Sequence, residues 1–291
     1  MWKPSKDAIQ ISENDKARSD FVKHLVQRDR ALHTLTLKST SNIPRIIVQF
    51  WDDENIPIDV KECTATWKQL KSKGFKHVLF DDDSARRFIA GSLHADNVKA
   101  FDRCYHPAMK SDYFRLCFIF SIGGFYVDVD DVYCGIDIEH LFIDQRLKLQ
   151  PLCFDVDTDG MVDPDKFIRN RSFSISWIFY FNNNPIVAPP GNPIVEYALR
   201  RATRIILDCD ENDLPEIQST TGPGNLTASV VAYLSSDKSY RQDQYLSVLS
   251  EWGTCARTIW PLAYRNDERN WRLSNKKPYM PVKSVIEKAK I

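Results

Sequence analysis

Residues 108–131 restrict the possible folds more than any other stretch of the chain. Met109, Tyr113, Leu116, Cys117 and Phe120 recur at helical spacing, Gly123-Gly124 stops the pattern, and Phe125-Tyr-Val-Asp-Val-Asp-Asp131 follows. A glycine pair closes a helix well because glycine accepts a left-handed backbone, and the β-branched and aromatic residues beyond it suit a short buried strand. An apolar helix feeding a strand that ends in carboxylates is a unit of an α/β sheet, where side chains at the strands' carboxyl ends meet ligands.

The same alternation runs upstream. Arg45-Ile-Ile-Val-Gln-Phe-Trp51 reads as a first strand, residues 59–73 as a helix, Lys76–Phe80 as a second strand, and 83–91 and 94–104 as two further helices. We therefore expect an α/β domain over 43–291, with a mainly parallel sheet flanked by helices. Before it, Ser12 can cap a helix reaching to residue 35 through Phe21, Val22, Leu25, Val26, Leu32 and Leu35, and 38–44 reads as a linker. Residues 1–42 are thus expected to be an N-terminal helical appendage.

Composition removes several classes. Lysine plus arginine and aspartate plus glutamate both total 39, so no net field draws the chain to nucleic acid or anionic lipid. The 7 cysteines are odd in number and form no CxxC pair, which points to reduced thiols and a cytoplasmic location. No apolar run is long enough for a transmembrane helix. The sequons at Asn170 and Asn225 would matter only after secretion.

Side chains alternate along a strand, so Asp128 and Asp130 are expected on one side and Asp131 on the other, as a solvated bystander. Two carboxylates side by side suit Mg2+ or Mn2+, hard ions that take oxygen ligands and share them with phosphates. On the triplet alone, a solvated strand end is the better account of these acids. A second acidic stretch, Asp155-Val-Asp-Thr-Asp-Gly160, resembles the start of a calcium loop, but Lys166 stands where that loop needs its bidentate glutamate.

Three ordered motifs add context: Ile43-Pro-Arg-Ile-Ile-Val-Gln-Phe-Trp51, Ala108-Met-Lys-Ser-Asp112-Tyr-Phe-Arg115, and Gly123-Gly-Phe-Tyr-Val-Asp-Val-Asp130. Together they resemble the DXD-motif sugar transferases of glycosyltransferase family 32, a group with initiating mannosyltransferases and capsule enzymes, and more distantly the large glucosylating toxins. The resemblance is strong over 43–135 and loose over 174–272. It implies a GT-A fold, a nucleotide-sugar donor (a UDP-sugar ahead of GDP-mannose), Mn2+ or Mg2+, and transfer with retention of configuration. The acceptor would be a glycan, a lipid-linked sugar or a protein.

By that resemblance Trp51, with Phe50 beside it, stacks on the nucleobase, although Trp51 also reads as a core ring. Asp112 and Arg115 share a helix face. The family's matching acid binds donor-sugar hydroxyls, and its arginine holds sugar and phosphates. Asp130 matches the direct metal ligand and Asp128 the carboxylate that reaches ribose and metal-bound water. Tyr126 is either a site residue on the same side or a core ring. Asn183-Asn-Pro-Ile-Val-Ala-Pro-Pro-Gly-Asn-Pro193 matches a family stretch in which Asn183 lies near the anomeric carbon; Asn182 and Asn184 leave that register open by one, and Asn192 replaces a histidine. Thr220-Thr221-Gly-Pro-Gly-Asn-Leu-Thr227 matches a loop that positions donor or acceptor, with Thr221 as the contact. Near the end, Asn270 and Trp271 stand where the family has a serine and a tryptophan, which places Asn270 toward the metal.

The expected chemistry is hexosyl transfer to an acceptor hydroxyl, in polysaccharide or glycan synthesis or in a protein-modifying effector. A metal-dependent phosphoryl or nucleotidyl transferase also gathers carboxylates, but the chain has no Walker motif. A sugar-nucleotide-binding module without catalysis is the other alternative.

Overall fold

The computed structural model describes residues 2–28, 41–210, 213–236 and 244–277. Strand β1 (Ile46–Phe50) lies between β2 (Lys76–Phe80) and β3 (Gly124–Tyr126), parallel to both, with Val48 opposite Val78 on one side and Tyr126 on the other. Residues 47–50 are all buried, as expected of a strand covered on both faces, and this is why they read as a nearly continuous apolar run. Helix α3 (Ile58–Lys68) and a 3-10 turn at Gln69–Lys73 connect β1 to β2. Helices α4 (Asp82–Ser92), α5 (Ala95–Arg103) and α6 (Pro107–Ser121) then lead to β3. The Asp81 side chain accepts from Ser84 N and the Ser84 hydroxyl bonds back, a capping box that starts α4.

The glycine pair ends α6 for two reasons. Gly123 and Gly124 have φ of 75° and 112°, and a Cβ would lie 2.6 Å from Pro190 N at the first and 2.8 Å from the Ile46 carbonyl at the second. Strand β3 is only three residues long. The chain turns at 128–131, with Asp131 N donating to the Asp128 carbonyl at 3.2 Å, and resumes as β4 (Asp131–Tyr133). The expected strand over 125–129 is therefore cut short, and simple alternation does not decide where the three acids point.

Beyond β4 come β5 (Leu147–Asp155), β6 (Gly160–Met161) and β7 (Trp177–Ala188). Strand β7 is antiparallel to both β3 and β5, giving the order β2-β1-β3-β7-β5-β6, and β8 (Leu246–Val248) adds parallel to β5. The chain thus has the expected α/β class, a helix-flanked sheet with a parallel half centred on β1 and an antiparallel crossing by β7. The acidic stretch at 155–160 is the turn of the β5–β6 hairpin. Helices α7 (Pro193–Asp208), α8 (Ile217–Thr220) and α9 (Pro223–Ser236) precede β8, and α10 (Trp252–Cys255) leads to β9 (Ala256–Thr258), which pairs with β4. The last helix, α11, is Trp271–Ser274.

At the N-terminus there are two helices, α1 (Lys6–Glu13) and α2 (Asp15–Gln27), capped by Ser5 and Asn14. Ser12 is not a cap; it is buried and its hydroxyl donates to the Ile9 carbonyl at 2.9 Å. Val22 and Val26 enter the main core beside the sheet residues, and Ser19 Oγ accepts from Phe179 N at 2.9 Å. Leu32, Leu35 and residues 38–40 of the expected linker lie outside the described residues. A second core layer stacks Trp67, fully buried, on Phe125, Tyr133 and Trp252. Burying one such ring contributes about 1.5–3 kcal/mol, so this layer holds α3 firmly against β3 and β4.

Candidate active site

Helix α6 carries Ser111, Asp112 and Arg115 on one face, and Arg115 is the hub of the site. One Nη donates to the Asn183 carbonyl at 2.8 Å; the other lies 3.0 Å from Ser111 Oγ, Asp128 Oδ1 and Asp112 Oδ1. The guanidinium also lies 4.2 Å above the Tyr126 ring. Only 3% of Arg115 is exposed. Burying a cation costs several kcal/mol unless partners replace its water, and here two carboxylates, a carbonyl and an aromatic face do so. Burial disfavours its charge, but Asp128, Tyr126, Asp112 and Asp130 outweigh it, and the pKa is raised.

Asp112 is pushed up to about 6, chiefly by burial and further by the Asp128 charge, against the pull of Arg115 and of hydrogen bonds from Asn183 and Thr221. Asn183 Nδ2 donates to Asp112 Oδ1 at 2.8 Å. Gly222 lets the α8–α9 turn close onto this carboxylate, since a Cβ there would lie 3.1 Å from Asp112 Oδ2. Asp112, Arg115, Asn183 and Thr221, widely spaced in sequence, are therefore brought together as the motifs suggested.

The turn at 128–131 is clamped from both sides. Asp128 N donates to Asn184 Oδ1 at 3.0 Å, and its carbonyl accepts from Gln49 Nε2 at 3.0 Å. Gln49 is in turn held by His77 at 2.7 Å, whose pKa is lowered to about 4 by burial and the Lys68 charge, so the imidazole is neutral. Asp128 Oδ1 accepts from Tyr126 Oη at 3.1 Å as well as from Arg115. Tyr126 is fully buried, so its ring belongs to the core while its hydroxyl reaches the site.

Asp131 corrects the expectation of a solvated bystander: it is wholly buried. Its Oδ2 accepts from Asn184 Nδ2 at 2.9 Å and its Oδ1 from Thr258 Oγ1 at 2.5 Å. Because the turn directs it inward, Asp131 holds Asn184, which holds the Asp128 backbone. Burial, with repulsion from Asp130 and Asp128, pushes its pKa up to about 7.

Asp130 is 6% exposed, and its Oδ2 accepts from Tyr264 Oη at 2.8 Å and from Arg265 Nη2. Burial and the Asp128 charge raise its pKa, with Arg265 and Tyr264 opposing. Tyr264 also packs its edge on Trp51, and Arg269 lies over the same indole while pairing with Asp52 at 3.1 Å. Trp51 is thus at the site but covered, and its buried Nε1 has no hydrogen-bond partner among the described residues. Its neighbour Phe50 does not join it. Alternation turns the Phe50 ring into the core against Phe114, at a centroid separation of 5.5 Å, which overturns its assignment to the nucleobase.

Asn270 is likewise not poised as a metal ligand. Its Oδ1 accepts from Arg272 N, capping α11, and its Nδ2 donates to the Arg265 carbonyl at 2.8 Å, so both ends of the amide are engaged. Trp271 packs at the core margin with Arg272 over its ring. Asn192, in the family's histidine position, caps α7 by accepting from Ile194 and Val195 N. Sequence reading missed Ser111, Gln49, Tyr264 and Arg265, and held Asn184 only as an alternative register for Asn183, not as the clamp of Asp128 and Asp131 that it is. All of them lie inside the quoted stretches or shortly before Asn270, but no motif shows a contact made only on folding.

Among the described residues no three His, Cys, Asp or Glu side chains converge as a metal site. Asp128 and Asp130, two carboxylates on one turn, remain a donor pair of the right chemistry for a hard divalent ion that takes its other ligands from water or phosphate. Residues 57–146 match the family described as "Glycosyltransferase sugar-binding region containing DXD motif". The chain is 29% identical over 110 residues to an initiation-specific alpha-1,6-mannosyltransferase of Saccharomyces cerevisiae, covering 35% of this chain and 23% of that protein. It is 27% identical over 133 residues to inositol phosphoceramide mannosyltransferase 2 of Schizosaccharomyces pombe, covering 44% and 38%. The matches thus span less than half the length of these relatives. The PaToxG glycosyltransferase structure aligns over 82% of each chain at 16% identity, with a TM-score of 0.44. Asp112, Arg115, Asp128 and Asp130 all lie within the segment that matches this glycosyltransferase sugar-binding family.

Proposed function

We propose that the protein is a metal-dependent, retaining glycosyltransferase of GT-A type, moving a hexosyl group from a nucleotide-diphosphate sugar to an acceptor hydroxyl in glycan synthesis. The observation that carries this reading is the junction of Asp112, Arg115 and Asp128 with Asn183, on the same turn as Asp130, the first three and Asp130 lying within the matched sugar-binding region. Asp128 and Asp130 would hold Mn2+ or Mg2+, which supplies Lewis-acid neutralisation of the departing diphosphate.

The chain's own residues do the rest. Arg115 places a fixed positive charge beside the acids, where it helps carry the leaving group's charge. Asp112 is locked by Arg115, Asn183 and Thr221, so it orients donor hydroxyls and does not attack the anomeric carbon. This fits attack from the face of the departing phosphate, hence retention. Trp51 offers a ring to the base once Tyr264 and Arg269 move off it. The sequence favours a UDP-sugar, whereas the relatives named above are mannosyltransferases, so GDP-mannose belongs in the same assay. The seven cysteines, all without a disulfide, support a reducing, cytoplasmic setting.

The test is turnover of UDP-glucose, UDP-galactose, UDP-N-acetylglucosamine and GDP-mannose with and without Mn2+. Hydrolysis or transfer of at least one, lost in Asp130→Ala with the fold retained by circular dichroism, is expected. Binding without turnover of any donor would leave a sugar-nucleotide-binding module and sink the enzyme reading.

A further inference from the structure

The C-terminal segment 259–275 closes over the DXD turn by its charges. Arg265 Nη2 and Tyr264 Oη share the single oxygen Asp130 Oδ2, and the Arg265 side chain is 14% exposed against 9% for Asp130. The guanidinium is stacked on Trp260 at 4.2 Å. The segment is tied down elsewhere by Ala263 N on Asp59 Oδ2 at 2.7 Å and by Ser274 Oγ on His106 Nε2 at 2.7 Å.

Two buried donors under this cover, Arg265 Nε and Trp51 Nε1, have no hydrogen-bond partner among the described residues. A buried donor left unmatched is unfavourable, so the closed arrangement is one that a ligand rich in acceptor oxygens can improve. A guanidinium and a divalent cation repel one another and compete for the same carboxylate oxygen in a site with little water to screen them.

We propose that Arg265 is the resting counter-ion of Asp130 and that divalent cation binding displaces it, releasing Tyr264 from Asp130 and uncovering Trp51. Cation loading and exposure of the base-binding ring are then one event: the segment stays shut over Trp51 until a cation replaces the arginine. This rests on the metal-dependent reading above and names the group the metal must compete with.

The test is a titration of the full chain with Mn2+ alone, following free Mn2+ by electron paramagnetic resonance, for wild type, Arg265→Ala and Arg265→Gln. Circular dichroism and thermal unfolding establish that each variant is folded; the glutamine keeps a donor to Asp130 without the charge. Removing the competitor is expected to tighten Mn2+ binding by about tenfold or more, within the usual range for coupled equilibria. Mn2+ affinity equal to or weaker than wild type in both variants overturns the competition and leaves the metal reading standing. No Mn2+ retained by any of the three proteins overturns the metal reading and the competition with it.

Discussion

Asp131→Asn tests how the DXD turn is held. Asp131 is wholly buried and its carboxyl titrates at about 7 in the fold against its ordinary 3.8. The folded chain therefore binds a proton here that the unfolded chain has released. The stability this gives is fully present below pH 3.8 and is lost as pH rises through 7. The interval spans about 3 pH units at about 1.4 kcal/mol each, so ionised Asp131 costs the fold about 4 kcal/mol at most above pH 7. Asparagine keeps both contacts: its oxygen accepts from Asn184 Nδ2 and its NH2 donates to Thr258 Oγ1, a hydroxyl that can turn to accept. We expect urea unfolding to show wild type and Asp131→Asn equally stable near pH 4, and the variant more stable by about 2–4 kcal/mol at pH 8. A difference that does not change with pH, or a variant less stable at pH 8, would refute the reasoning.

Asp112 titrates at about 6, and ionisation makes it the stronger, acceptor-only partner for donor hydroxyls. A plot of kcat/KM against pH should then rise through a limb near 6 that is absent, at about a hundredfold lower rate, in Asp112→Asn; a flat wild-type profile would remove Asp112 from donor binding. Gly222→Ala puts a Cβ 2.9 Å from Gln218 Cα and 3.1 Å from Asp112 Oδ2, and should cost about 1–3 kcal/mol in urea unfolding as well as slow turnover. Gly91→Ala, with nothing within 4 Å, is the control and should be neutral or stabilising by up to about 1 kcal/mol. Equal effects at the two glycines would show that the tight turn at Gly222 is not a constraint.

The described residues contain no helix long and apolar enough to cross a membrane. Most of that first half was legible. Residues 46–50, 76–80, 82–92, 95–103 and 107–121 form elements within about two residues of where periodicity puts them, because each buries a face whose spacing is its own record. Strand β7 was not legible: its outward residues are half-buried, and Asn182, Asn183, Asn184 and Pro185 interrupt the apolar pattern. Asn183 and Asn184 are polar because they face Asp112, Asp128 and Asp131, contacts between segments more than fifty residues apart, while Asn182 donates to Gln150 on β5.

The same division holds at the site. Local sequence determined that Asp112 and Arg115 share a helix face and that a glycine pair delivers Tyr126 and the acids to the end of β3, since both follow from backbone geometry over a few residues. Only the tertiary structure decided which acid is which. The turn at 128–131 sends Asp128 to Arg115, Asp130 to Arg265 and Asp131 inward to Asn184 and Thr258. A carboxylate's role depends on the charge and donors that surround it, and here those partners come from distant segments of the chain that only folding brings together.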